Sequence, residues 1–355
     1  MVPEANWFSP PWEDDEDTQT NRTTRPKKAT HDAGLTPTTA SKLIKAHTAL
    51  ARVDTLIAEA PSPIAQGAIS RIVLSEASGY LAHIKARISP RDLAMRACGI
   101  TGSYTIALES GRLGKELIWS GGEVMGEDLP DDWDVSAALA LSRHLKRIPG
   151  GKCRLHETDR LAALLSELGV NTGDSAELEV WLSNLPSPFE KPGILLASWI
   201  AAYGMPGRQR EDKLDLGAVF IAAAKIAESG IINHAPFMIW SAPTSWLDRL
   251  GTQGGEAFEH GFLDAATEAA TAGLRETKRI MEAATKIPGL DRRVGSNVTK
   301  AAWIAIAESV FTLGSLATKL SLTTRATSTI INRLVEAGFV TEITRRDAWR
   351  AYAIV

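Results

Sequence analysis

Thr323, Thr324, Arg325, Ser328, Thr329, Asn332 and Arg333 crowd hydroxyl, amide and guanidinium groups into eleven residues. Positions 325, 328, 329, 332 and 333 are three or four residues apart, so on a helix they share one side. Such donors and acceptors are the groups that read base edges and hold phosphates in a DNA major groove. Thr327, Ile330, Ile331 and Leu334 interleave with them as an apolar stripe, which gives the same helix a side to bury. Lys319 comes just before this set, and Arg345, Arg346 and Arg350 follow it as cations suited to phosphate contacts. From position 291 onward nine Lys and Arg stand against five Asp and Glu, a balance of +4, whereas the whole chain carries −3. Any affinity for nucleic acid therefore has to be local to this end.

Other residues offer chemistry less completely. His234, in His234-Ala235-Pro236-Phe237, is either a base or ligand contact, or a partly buried histidine closing a helix-to-loop transition. A lone histidine is more often the second. Cys153 and His156 have metal-ligand spacing, but a structural zinc takes four ligands, and nothing in the spacing brings Cys98 or His144 to complete the set. No metal and no cofactor are expected. Asp131, Asp132 and Asp134 around Trp133 read as a solvated loop ending in an N-cap rather than as a cation site. Gly111-Arg112-Leu113-Gly114-Lys115 is too short for a phosphate loop. Trp199, Trp240 and Trp246 read as core filling rather than a stacking platform.

The elements that must position the C-terminal set can be read in order. Positions 299–309 predict a helix with Trp303, Ile304 and Ile306 for a core. Thr312 caps a second helix over 313–320. Ser321, Leu322 and Thr323 make a tight turn with Leu322 inward, and Ala317 is small where the next helix must approach. Thr323 caps a third helix over 324–337, which Gly338 ends in a left-handed conformation. A strand over 339–343, a polar turn of Thr344, Arg345, Arg346 and Asp347, and a returning strand over 348–355 complete the order of a winged helix-turn-helix. Upstream, helices are predicted over about 40–57, 65–87, 134–147 (capped by Asp134), 158–168, 175–185, 193–202, 216–229 and 256–286. A further one starts at Pro90 with Ser89 as its cap and ends at Gly99. Period-two alternation is almost missing before Pro288. The fold class is mostly α: a disordered tail over 1–38, a helical body over 39–290 with a loop near 121–134, and a winged module over 291–355.

A chain of 355 residues suits two or three domains. Its 44% hydrophobic and 23% charged residues are those of an ordinary globular protein. Two cysteines exclude a disulfide scaffold and fit a reducing compartment. No apolar run reaches the roughly 18–20 residues of a membrane span, and the start has no signal-peptide pattern, so a cytoplasmic location is expected with no membrane partner. In the tail, Trp7 and Trp12 stand close before an acidic run. They are either a protein-partner motif or part of an idle segment.

The segment 316–355 resembles the winged helix that follows the catalytic domain in many Fic proteins. Leu316-Ala317, 320–323 and Leu334-Val335-Glu336-Ala337-Gly338-Phe339-Val340 carry that likeness. The whole chain resembles a rhizobial, often plasmid-encoded family that joins an uncharacterised helical domain to a C-terminal helix-turn-helix DNA-binding domain. Ser62-Pro63-Ile64, the helix around Glu76-Ala77, 89–93, His234-Ala235-Pro236-Phe237, Gly273-Leu274-Arg275-Glu276 and nearly everything after Arg292 match it. The Fic motif is histidine-proline-phenylalanine followed by an acid and a Gly-Asn-Gly-Arg phosphate loop. Here Ala235 precedes the proline, His234 is displaced by one, and Met238, Ile239, Trp240, Ser241, Ala242 and Pro243 follow, without carboxylate, glycine pair or arginine. Trp-Ser-Ala-Pro is not expected to offer an anion the exposed N–H groups of such a loop. Ile84 stands where that family's inhibitory helix ends in a glutamate. The resemblance thus implies a Fic-like helical scaffold that has lost its chemistry.

The expectation is a DNA-binding, regulatory protein without a catalytic site, in which a homodimer would join two modules on two half-sites. Two alternatives stay open: a diverged Fic-type nucleotidyl transferase using His234 as base, and an adaptor that binds a protein partner through its tail.

Overall fold

The computed structural model describes residues 36–83, 88–100, 132–149, 157–168, 175–183, 216–228, 230–242, 256–291, 295–344 and 350–355. Within them the chain is mostly helical, with one small three-stranded sheet. No helix among them is long and apolar enough to cross a membrane. Trp7, Trp12, Cys153, His156, Trp199, Trp246, the 111–115 segment and the helix expected over 193–202 lie outside the described residues, as does most of the 121–134 loop.

Two long helices frame the body. In α1 (Pro37–Glu59), Thr36 caps the first turn by accepting from the Thr39 N–H, and Pro37 takes the position where a missing N–H costs nothing. Its buried stripe is the expected one, Leu43, Ala46, Leu50, Val53 and Ile57, extended by Thr39. It packs along α8 (Glu256–Thr285). Lys42 pairs with Asp264, and the Thr39 hydroxyl lies 3.0 Å from the His260 ring.

The next helix, α2 (Ser62–His83), starts earlier than the apolar pattern suggested and is surrounded: α1, α8, α3 (Pro90–Ala97) and α4 (Asp132–Leu145) all pack on it. It buries Arg71 and Glu76 together with Ile72, Val73, Ala77, Tyr80 and Leu81. Amphipathic helices bury one stripe, and this one is covered nearly all round, which brings two ionisable groups into the core. Ser89 caps α3 by accepting from Asp92, and Gly99 follows it in the left-handed region at φ +80°. The next helix, α4, begins at Asp132, so Asp134 lies inside its first turn and is not the cap. The body continues with α5 (Thr158–Glu167), α6 (Ser175–Ser183) and α7 (Leu216–Glu228).

A short 3-10 turn (Ile287–Gly289) leads to α9 (Asn297–Ala307), β1 (Phe311–Thr312), α10 (Leu313–Leu320), α11 (Thr324–Glu336), β2 (Val340–Glu342) and β3 (Ala351–Ile354). The strands are antiparallel in the order β1-β3-β2, with Phe311 opposite Tyr352 and Val340 opposite Ile354. The two rings of the first pair stack at 5.9 Å. Strand β1 was not expected, because two residues are too few to show alternation. Thr344 is a second correction. It is buried, and its hydroxyl accepts the Ala351 N–H at 2.8 Å, so it closes the hairpin instead of standing in the turn.

This end is bound to the body through α2. A Cβ on Gly67 would sit 2.1 Å from the Ile306 carbonyl oxygen, so only glycine lets α2 and α9 lie this close. The Arg71 guanidinium, on the same helix, donates to the carbonyls of Gly67 (3.1 Å), Ile306 (3.0 Å) and Glu308 (2.7 Å). It thus satisfies carbonyls that the end of α9 leaves without helical partners. Two lighter ties come from α3 and its end: Arg91 donates to Ile343 (3.1 Å) and the Cys98 thiol to Val310 (3.2 Å).

Candidate nucleic-acid interface

The geometry of α11 follows from its caps. Thr312 opens α10 with a reciprocal capping box to Ser315, fixing where that helix starts. Ser321 then takes a left-handed conformation (φ 53°), which turns the chain sharply enough for Thr323 to cap α11 through the Ala326 N–H. The buried side of α11 is Thr327, Ile330, Ile331 and Leu334, packed toward α9, α10 and β2. The buried Thr327 hydroxyl is satisfied by the Thr323 carbonyl at 3.0 Å. Gly338 ends the helix at φ +63°.

The opposite side is open. Thr323, Thr324, Arg325, Thr329, Asn332 and Arg333 are exposed and Ser328 is half-buried. Arg325 and Arg333 have no ion-pair or hydrogen-bond partner for their guanidinium groups among the described residues. Lys319 and Arg350 differ. Lys319 is ion-paired with Glu308, and Arg350 lies 3.9 Å from the Glu342 carboxylate. Their charges are partly compensated within the fold, so they are less available to an outside anion than sequence alone suggests. Arg345 and Arg346 lie outside the described residues. One cation was not singled out from the sequence: Lys146, beyond α4, whose pKa is lowered first by burial and then by Lys319 nearby.

His234 is exposed, not partly buried. Its neighbourhood is organised by two carboxylates that sequence reasoning passed over. The Asp54 carboxylate, on α1, accepts the N–H groups of Asn233 (2.8 Å), His234 (2.6 Å) and Ala235 (2.8 Å). That of Glu76, on α2, accepts those of Ile239 (2.8 Å), Trp240 (2.8 Å) and Ser241 (3.0 Å), and the Ser241 hydroxyl. The 240–242 stretch thus leaves the Trp240 and Ser241 N–H groups unavailable to an outside anion, as expected of it, although they do converge, together with that of Ile239, which was not expected. Consecutive amides form an anion cradle without a glycine, and the anion is the chain's own Glu76. Burial raises the Glu76 pKa, and the four donated hydrogen bonds oppose that rise. A sequence signal existed: Glu76 interrupts the apolar stripe of α2.

Trp240 is buried and meets Tyr80 edge-on at 5.8 Å, as core filling would. Cys98 is engaged with Val310, and His144 lies 2.9 Å from the Glu167 carboxylate, so the two do not share a site. No protein-family model matches the chain, and no curated protein matches it.

Proposed function

We propose that this chain is a DNA-binding regulator whose C-terminal end, from position 291, is a winged helix-turn-helix. Its body is a Fic-like helical scaffold without Fic chemistry. What carries the reading is the two-sided character of α11: its apolar side is locked against α9, α10 and β2, and its hydroxyl, amide and guanidinium side faces solvent with two arginines unpaired among the described residues. In this reading α11 enters the major groove. Asn332 and Arg325 read base edges, Thr324, Ser328 and Thr329 hydrogen-bond bases or phosphates, and Arg333 holds the backbone. Arg345 and Arg346 reach the flanking backbone, and Lys319 and Arg350 add weaker phosphate contacts. The order helix, short strand, helix, helix, hairpin, with the first strand pairing onto the last, supports the assignment of the module.

The body's part in this reading is mechanical. The Ile239, Trp240 and Ser241 amides, which would have to receive a phosphate in a transferase, are occupied by Glu76. A homodimer presenting two α11 helices about one helical turn of DNA apart would raise the affinity of a weakly cationic module.

The test is to select bound sequences from a random duplex pool, then measure the selected duplex with Arg325→Ala and Asn332→Ala. Each variant should lose roughly tenfold or more in affinity, with relaxed preference at one base position. Failure of any sequence to enrich, or wild-type affinity in both variants, would sink the reading.

A further inference from the structure

Between α2, α8, the 238–242 turn and the C-terminal module lies a cleft of about 1210 Å³, large enough for a small organic ligand. One wall is apolar, with Ile72 and Leu74 backed by the buried Met238; Ser309, Val310 and Ala353 close it on the side of the C-terminal module. The charged lining is Arg71, Arg91, Arg275 and Arg279 against Glu268 and Glu276, an excess of two positive charges.

These charges are not equivalent. Arg279 holds Glu276 through two hydrogen bonds (2.8 and 3.0 Å), and the Arg71 Nε lies 3.4 Å from the same carboxylate. Arg71 spends its other nitrogens on carbonyls, as described above, and its pKa of about 10 keeps it charged at neutral pH. Arg91 gives one nitrogen to Ile343. Arg275 is exposed and has no ion pair or hydrogen bond from its side chain among the described residues. A planar guanidinium fork with no partner, at the edge of an apolar wall and in a positive field, is suited to a carboxylate, phosphate or sulfonate carrying an apolar body.

We propose that this cleft binds a small amphipathic anion, its acidic head on Arg275 and its apolar part against Ile72 and Leu74. The bound molecule would bridge the body and the C-terminal module at the joint made by Arg71 and Arg91, and would stiffen that joint. Its consequence for DNA binding rests on the function proposed above; the binding and the stiffening do not.

The experiment is calorimetric titration of the full chain with naphthalene-1-sulfonate, with 1-naphthalenemethanol as the neutral comparison. One-site, saturable binding of the sulfonate is expected. It should weaken by about tenfold or more for the alcohol and in Arg275→Glu, the scale of a lost charge-assisted contact. Thr271→Trp, which fills the cleft from an exposed position on α8, should also block it, and amide exchange at Ile343 and Ala351 should slow in the complex. Urea midpoints close to wild type would show that both variants fold. No saturation at millimolar sulfonate, equal affinity for the alcohol, or undiminished binding in both variants would overturn the site. Unchanged exchange at Ile343 and Ala351 on saturation would overturn the stiffening. Loss of DNA binding alone would leave both standing.

Discussion

Replacing Glu76 tests the physical logic of the body most sharply. In Glu76→Ala the N–H groups of Ile239, Trp240 and Ser241 lose their acceptor in a buried place, and the Ser241 hydroxyl loses its own. A buried donor left unsatisfied costs about 1–3 kcal/mol, and water entering the space vacated by the side chain recovers part of it, so the net loss should be about 3–5 kcal/mol. Glu76→Gln is the informative partner. Its amide oxygen can keep Ile239 and Trp240, and its amide group can donate to a reversed Ser241 hydroxyl. Only the Ser241 N–H is then stranded, for a loss of about 1–3 kcal/mol. Urea denaturation should rank the stabilities wild type, Gln, Ala, and the Ile239 and Trp240 amides should exchange faster in Ala than in Gln. A Glu76→Ala midpoint within about 1 kcal/mol of wild type would refute the reasoning, because the cost of a stranded buried donor exceeds that.

Three other outcomes follow from the same packing. Gly79→Ala would place a Cβ 1.9 Å from the Trp240 carbonyl oxygen and Gly67→Ala one 2.1 Å from that of Ile306, backbone contacts that cannot yield cheaply; each should lose about 2–3 kcal/mol in denaturation. Arg71→Met should loosen the joint, by about 2–4 kcal/mol if the carbonyls of Ile306 and Glu308 stay dry, and Arg71→Lys should not restore it, lacking the fork that spans several acceptors; exchange at the end of α9 reads this. Burial lowers the pKa of His47 and, with Arg147 and Arg143 against an opposing Glu167, that of His144. The unfolded chain then binds more protons at these rings as pH falls. Their contribution is full above their unfolded pKa of about 6.5 and is lost as pH falls below it through the lowered folded values, and His47→Gln/His144→Gln should flatten that decline in urea midpoint.

The C-terminal end was legible in the sequence because its signals are local. Thr312, Thr323 and Gly338 mark helix ends within a few residues of themselves, and the Thr327, Ile330, Ile331, Leu334 stripe needs only helical period to be seen. The same holds for α1. What stayed hidden depends on distant pairing. Strand β1 exists because Phe311 meets Tyr352, and two residues carry no period of their own. The cradle around Glu76 joins residues 163 positions or more apart, in a turn without the glycine that usually announces such a loop. Lys319 looked available because its partner Glu308 belongs to the end of another helix. The helix starts erred by a few residues at Ser62 and Asp132, because Pro63 reads as a stop although proline fits a first turn, and Asp134 reads as a cap although it lies inside one.

The central claim is that the exposed side of α11 meets the phosphates and bases of duplex DNA. It is tested most directly by the salt dependence of binding to the selected duplex, for wild type and for Arg325→Ala/Arg333→Ala. Each phosphate contact contributes a slope of about −0.9 in log affinity against log salt, so losing two cations should flatten the slope by about 2 if both touch phosphate, and by about 1 if Arg325 reads a base. An unchanged slope together with unchanged affinity would contradict the account.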